Sequence, residues 1–256
     1  MAVSLDKIKE LRELTGVSMM ACKKVLEEND GEMEKSIDDL RKKGEAKAVD
    51  RADRETNQGV ISYKAEGNKV SIVKLLSETD FVSRSDDFVA LANLLAEKAF
   101  AGEIKAGDEV SEVKDAVLKM GENISIGGLE VLEGDVLGVY IHSNQRIGVV
   151  VSLKGGTEEL AKDIAMHAAA TSPQCLSPDD VDDALVEREK AIWVEQLKQE
   201  GKPEEIMEKI MMGKEKKFRE ENALLKQQFV KDSEKTIEVL LSEAGATVEK
   251  FVRLAI

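Results

Sequence analysis

At 256 residues the chain exceeds a typical single domain, and a hydrophobic content of 42% is enough to bury a core, which excludes a disordered chain. Its 51 acidic against 37 basic residues give a formal net charge of −14. That balance repels phosphate backbones and anionic lipid, so a protein partner is expected, with no direct nucleic-acid contact and no membrane binding.

The first segment predicts three short helices. Leu5, Ile8 and Leu11 share one face behind Ser4 as N-cap; Thr15-Gly16 breaks that helix; Ser18 caps a second carrying Cys22 and Leu26. Asn29-Asp30-Gly31 is a turn, and Met33, Ile37 and Leu40 form the stripe of a third helix. A module of residues 1–43 with three apolar stripes resembles the ubiquitin-associated type of three-helix bundle. From 44 to 58 the chain reads as a charged linker, helical in part, where Lys47, Arg51 and Arg54 alternate with Glu45, Asp50, Asp53 and Glu55. The interleaved acids argue against a basic nucleic-acid arm.

Beyond Gln58 the period changes to that of strands. Val60-Ile61-Ser62-Tyr63 and Val70 to Leu76 flank Glu66-Gly67-Asn68-Lys69 and predict a hairpin, followed by a helix from about Asp86 to Phe100. A further helix carries Val113, Val117 and Met120, ended by Gly121. The pattern then repeats: Tyr63 maps to Tyr140 and Val73 to Val150, both at a separation of 77, and a helix capped by Thr157 follows. Over that helix the separation falls to about 73, so the first copy holds about four extra residues, placed within Glu78 to Asp87. The expected core halves are 59–135 and 136–256. Within the second, Ser177-Pro178-Asp179-Asp180 has the capping-box pattern of a helix running to about Glu200, and Gly201-Lys202-Pro203 turns the chain into a partner helix with Met207, Ile210, Met211 and Phe218. These make a protruding antiparallel hairpin over about 178–218. A short helix (Ile237, Leu240, Leu241), Gly245 and a strand through Phe251 and Leu254 finish the chain, and the expected fold class is α+β.

Residues that could support catalysis are scarce. The chain has two histidines, His142 and His167, and no HExxH, GxSxG, dinucleotide glycine fingerprint or GxxxxGK[ST] phosphate loop. Cys22 and Cys175 lie too far apart for a metal-ligand spacing and read as buried, reduced thiols. Lys154-Gly155-Gly156-Thr157 reads as a plain turn before a capped helix. No enzyme, cofactor or metal site is expected. The beginning, Met1-Ala2-Val3, carries no secretory pattern, and no apolar run nears the ~20 residues that cross a bilayer, so a cytoplasmic protein is expected.

One segment stands apart. In Ser77-Glu78-Thr79-Asp80-Phe81-Val82-Ser83-Arg84 an aromatic sits among polar residues on a loop after a strand. It is poorly placed for burial by its neighbours, and the competing reading has Phe81 capping its own core. The quartet Thr79-Asp80-Phe81-Val82, together with Leu11-Arg12, Thr15-Gly16, Met19-Met20 and Cys22-Lys23-Lys24, resembles the elongation factor Ts family across nearly the whole chain. The resemblance implies a guanine nucleotide exchange factor that binds GDP-loaded elongation factor Tu. It assigns Thr79, Asp80, Phe81 and Val82 to dislodging the partner's magnesium ion, Arg12, Met19, Met20 and Lys23 to gripping its nucleotide domain, and His142 to another domain. It also settles the N-terminal module as ubiquitin-associated-like. The rival reading is an adapter that uses this bundle without exchange activity. Departures from the family pattern fall at Lys74 and Leu76, at Gly127-Gly128 and at Gln228.

Overall fold

The computed structural model describes residues 3–256; the side chains of 45–50 and 205 lie outside the described residues, among them Glu45, Lys47 and Asp50 of the charged segment, as do Met1 and Ala2 of the N-terminus. Three helices open the chain: α1 (Leu5–Thr15), α2 (Met19–Glu28) and α3 (Met33–Arg51). Ser4 and Ser18 cap the first two by accepting the N–H groups of Lys7 and Ala21, each satisfying one otherwise orphaned donor of a first turn. Gly16 ends α1 at φ 68°, the left-handed position that favours glycine. Ile8, Leu11, Val17, Cys22, Val25, Leu26 and Leu40 form the bundle core. Helix α3 does not stop with its apolar stripe. It continues to Arg51, lies so close to a later helix that a Cβ on Gly44 would meet Leu118 at 3.1 Å, and ends where Arg51 donates to the Val117 carbonyl at 3.1 Å.

The first core half runs β1 (Gln58–Glu66), β2 (Lys69–Ser77), α4 (Asp80–Ser83), α5 (Asp86–Ala101), α6 (Ser111–Met120) and β3 (Ile124–Glu133), with sheet order β1-β2-β3. Val60, Val73, Leu75, Phe88, Leu91, Leu95, Val117, Ile124 and Leu129 fill its core. The second half runs β4 (Val136–Ile141), β5 (Ile147–Lys154), α7 (Glu158–Thr171), α8 (Asp183–Gln199), α9 (Glu204–Asn222), β6 (Gln228–Phe229), β7 (Asp232–Thr236), α10 (Ile237–Glu243) and β8 (Thr247–Ala255). Its main sheet has order β4-β5-β8, and β4 and β5 are antiparallel with Tyr140 opposite Val149. Helix α7 lies directly on that sheet: a Cβ on Gly138 would sit 2.2 Å from the Ala161 carbonyl carbon, so only glycine fits there.

The α+β class and the duplicated plan hold. Each half is a strand hairpin, a helix, a later short helix ended by a left-handed glycine (Gly121, Gly245), and a third strand beside the second. The repeat therefore extends further than the echo of Tyr63 in Tyr140. Strand β3 was not anticipated, because Gly127-Gly128 interrupts its apolar alternation. Two further details differ from expectation. The extra residues in the first copy form a one-turn helix, α4, instead of a plain loop. The Ser177–Asp180 capping box is present, but it closes a single 3-10 turn over Pro178–Asp180; Val181 is extended and buried, and Asp182 caps α8 by accepting the Ala184 N–H. Helices α8 and α9 run antiparallel, held by Trp193 edge-on to Phe218 with ring centroids 5.7 Å apart and by the pairs Lys190–Glu215 and Arg219–Asp183.

Candidate functional site

The conformation of Thr79–Val82 follows from local chemistry. Strand β2 ends at Ser77, whose hydroxyl donates to the Thr79 carbonyl at 3.1 Å. Thr79 is extended and caps α4, its hydroxyl accepting the Val82 N–H. Ser83 is buried and its hydroxyl donates to the Asp80 carbonyl, while Ser85 caps α5 immediately after. A one-turn helix has too few internal hydrogen bonds to persist alone, so these side chains supply the missing partners.

A second layer comes from distant sequence. The Glu122 carboxylate accepts both the Thr79 N–H (2.9 Å) and the Thr79 hydroxyl (2.5 Å). The neighbouring Asn123 N–H donates to Glu78 at 2.6 Å, and the Asn123 amide donates to the carbonyls of Ala52 and Arg54. Arg54 in turn pairs with Glu78 at 3.3 Å. Sequence reasoning missed Glu122, Asn123, Glu78 and Arg54 as supports, since no spacing rule links positions more than twenty residues apart.

On this fixed turn, Phe81 is 85% exposed, which rules out the reading in which it caps its own core. Val82 points the other way and packs on the core beneath. Asp80 stays half-exposed and pairs with Arg84 one turn later at 3.2 Å. The turn thus presents an outward aromatic beside a carboxylate on a backbone clamped from below.

In the N-terminal bundle, Met20 is 81% exposed and Met19 is partly buried against the bundle core. Lys23 is exposed and pairs with Glu27 at 3.8 Å, and Arg12 is exposed on α1. Leu14, also strongly exposed, was not among the anticipated contact residues. His142 lies in the second core half, exposed just past the end of β4, its Nδ1 3.1 Å from the Tyr140 hydroxyl. His167 is fully buried, and desolvation lowers its pKa while Gln227 and Thr171 hydrogen-bond to it, a structural role. Cys22 is buried as expected, whereas Cys175 is only partly buried; desolvation raises the pKa of both thiols, with Asp180 adding to the effect at Cys175. Among the described residues no group of three or more His, Cys, Asp or Glu could hold a metal ion, and no helix is long and apolar enough to cross a membrane. At 154–157, Gly155 and Gly156 are both left-handed, and a Cβ on Gly155 would meet the Gly245 carbonyl at 2.7 Å, so the pair serves a tight turn.

Three of the positions that depart from the family pattern, Lys74, Leu76 and Gly127, are neighbours, whereas Gln228 lies on β6 opposite Thr236. A Cβ on Gly127 of β3 would meet Leu76 Cδ1 at 2.5 Å and Lys74 Cε at 2.9 Å, and the Lys74 ammonium donates to the Ala255 carbonyl. The larger side chains on β2 occupy the space that glycine vacates on β3.

A sequence model of a family described as "Elongation factor TS" matches residues 78–256. Curated relatives described as "Elongation factor Ts" include one from Idiomarina loihiensis, 45% identical over 268 residues and covering 100% of this chain and 91% of the relative. One from Alkalilimnicola ehrlichii is 44% identical, covering 99% and 91%. Another, from a Hydrogenobaculum species, is 42% identical, covering 100% and 99%.

Proposed function

Because this chain belongs to the elongation factor Ts family, we propose that it is a guanine nucleotide exchange factor that binds GDP-loaded elongation factor Tu in the cytoplasm and speeds GDP release during translation elongation. In this reading Asp80 and Phe81 are driven between helices of the partner's nucleotide domain and displace the magnesium ion beneath the phosphates. Magnesium neutralises phosphate charge, so its loss weakens nucleotide binding without any covalent step. Thr79 and Val82 hold the wedge, one by capping its turn and the other by anchoring it in the core. Arg12, Met19, Met20 and Lys23 grip the nucleotide domain, and His142 a different domain.

The observation that carries the proposal is the exposure of Phe81 on a turn whose backbone is tied down by Glu122, Ser77 and Ser83. A ring exposed at such cost in apolar hydration, on a backbone held in place, is prepared for a partner. Coupling is reciprocal: whatever binding adds to nucleotide release, bound nucleotide must subtract from the affinity of the complex. The test mixes the protein with elongation factor Tu carrying fluorescent GDP, in excess unlabelled GDP, and follows the loss of signal. Acceleration supports exchange. An unchanged rate despite complex formation would favour the adapter reading instead.

A further inference from the structure

The geometry points to Glu122 as a positioning residue for exchange: by clasping Thr79 it sets the pose in which Phe81 is presented. The inference rests on the exchange reading and deepens it. Glu122 sits in the two-residue link between Gly121, which ends α6, and β3. Its two carboxylate oxygens take the two donors of Thr79, at 2.9 and 2.5 Å. Thr79 is also the N-cap of α4, and its carbonyl accepts the Ser83 N–H at 3.2 Å, so the residue Glu122 holds is the one that starts the turn carrying Phe81.

The link itself cannot drift. Asn123 is buried, its amide bonded to the carbonyls of Ala52 and Arg54 and its N–H to Glu78, which is held by Arg54. The clasp therefore ties the turn to the segment that follows α3, so the pose of Phe81 is referred to the end of the N-terminal bundle. Hydrogen bonds to a charged acceptor are the stronger kind and lose most when the acceptor is removed from a partly buried site. Without Glu122, the cap hydroxyl of Thr79 can turn to solvent and α4 loses its orientation, while Phe81 and every residue proposed to touch the partner remain present. The effect on exchange should then pass through the presentation of this turn, chiefly through Phe81, its most exposed side chain.

The experiment uses the full chain and fluorescent GDP release from elongation factor Tu, with four variants beside the unaltered protein: Glu122→Ala, Glu122→Gln, Phe81→Ala and the double variant Glu122→Ala/Phe81→Ala. Expected is a loss of about tenfold for Glu122→Ala. Glu122→Gln should recover much of it, since its carbonyl can accept the Thr79 N–H and its amide can donate to the Thr79 hydroxyl. In the double variant the Glu122 change should add little to the Phe81 loss, a non-additivity that general destabilisation would not produce. Exchange by Glu122→Ala at the unaltered rate, equal losses for the Ala and Gln variants, or losses that multiply in the double variant would each overturn the positioning role. If the unaltered protein itself fails to speed release, the exchange reading falls and takes this role with it, a result distinct from the other three.

Discussion

Phe81→Ala separates a wedge from a core residue because the two predict opposite pairs of results. A phenylalanine side chain presents about 200 Å2. At 85% exposure, only about 30 Å2 of it is covered, worth about 0.8 kcal/mol at 25 cal/mol per Å2. Alanine is the better helix former by about 0.5 kcal/mol, which offsets most of that loss in the first turn of α4. Unfolding free energy should therefore change by less than ~0.5 kcal/mol. In the complex, covering the remaining ~170 Å2 has a ceiling of about 4 kcal/mol. Truncating a central interfacial aromatic typically costs 2 kcal/mol or more, so GDP release should slow by about 30-fold or more. Both quantities are measured on one preparation, by urea unfolding followed by circular dichroism and by release of fluorescent GDP from elongation factor Tu. Unchanged release with a stability loss of about 3–5 kcal/mol would make Phe81 a core residue. Unchanged release with unchanged stability would leave the ring exposed but idle, and would refute the wedge just as surely.

The buried His167 gives a pH dependence whose sign is fixed. Desolvation lowers its folded pKa, so below about pH 6.5 the unfolded chain binds the proton that the folded chain refuses. Stability should fall as pH drops from about 6.5 toward the lowered folded value, by at most about 1.4 kcal/mol per pH unit, and His167→Gln should flatten that slope in urea titrations at a series of pH values. In the helical hairpin, Trp193→Ala should cost about 3 kcal/mol or more of unfolding free energy, because the ring is buried against Phe218. Met212→Ala, on an exposed side chain of α9, should change it by less than ~0.5 kcal/mol; equal losses would mean that Trp193 does not hold the hairpin. Gly127→Ala should destabilise by about 1–3 kcal/mol through overlap with Leu76 and Lys74. Adding Leu76→Ala should restore part of that loss in thermal unfolding, and no recovery would separate the two positions energetically.

The amino-acid sequence by itself determined what short-range chemistry controls. Ser4, Ser18 and Thr157 cap helices where a hydroxyl precedes an apolar stripe, and Gly16 and Gly121 end them where a left-handed residue is required. The 77-residue echo and the extra residues before Asp86 located both the duplication and the segment that carries Phe81. Whether that ring was covered could not be read from its neighbours, because burial depends on what the rest of the chain brings to the site. The clasp of Thr79 by Glu122 was equally invisible, since it joins residues 43 apart whose meeting depends on β3 lying beside β2. Strand β3 escaped notice because Gly127-Gly128 breaks its alternation, and the reason for Gly127 is the bulk of Leu76 and Lys74 on the adjacent strand. Caps, turns and periods act within a few residues and are legible in order along the chain. Exposure, long-range hydrogen bonds and the fit of one strand's side chains against another's backbone exist only once the sheet has closed.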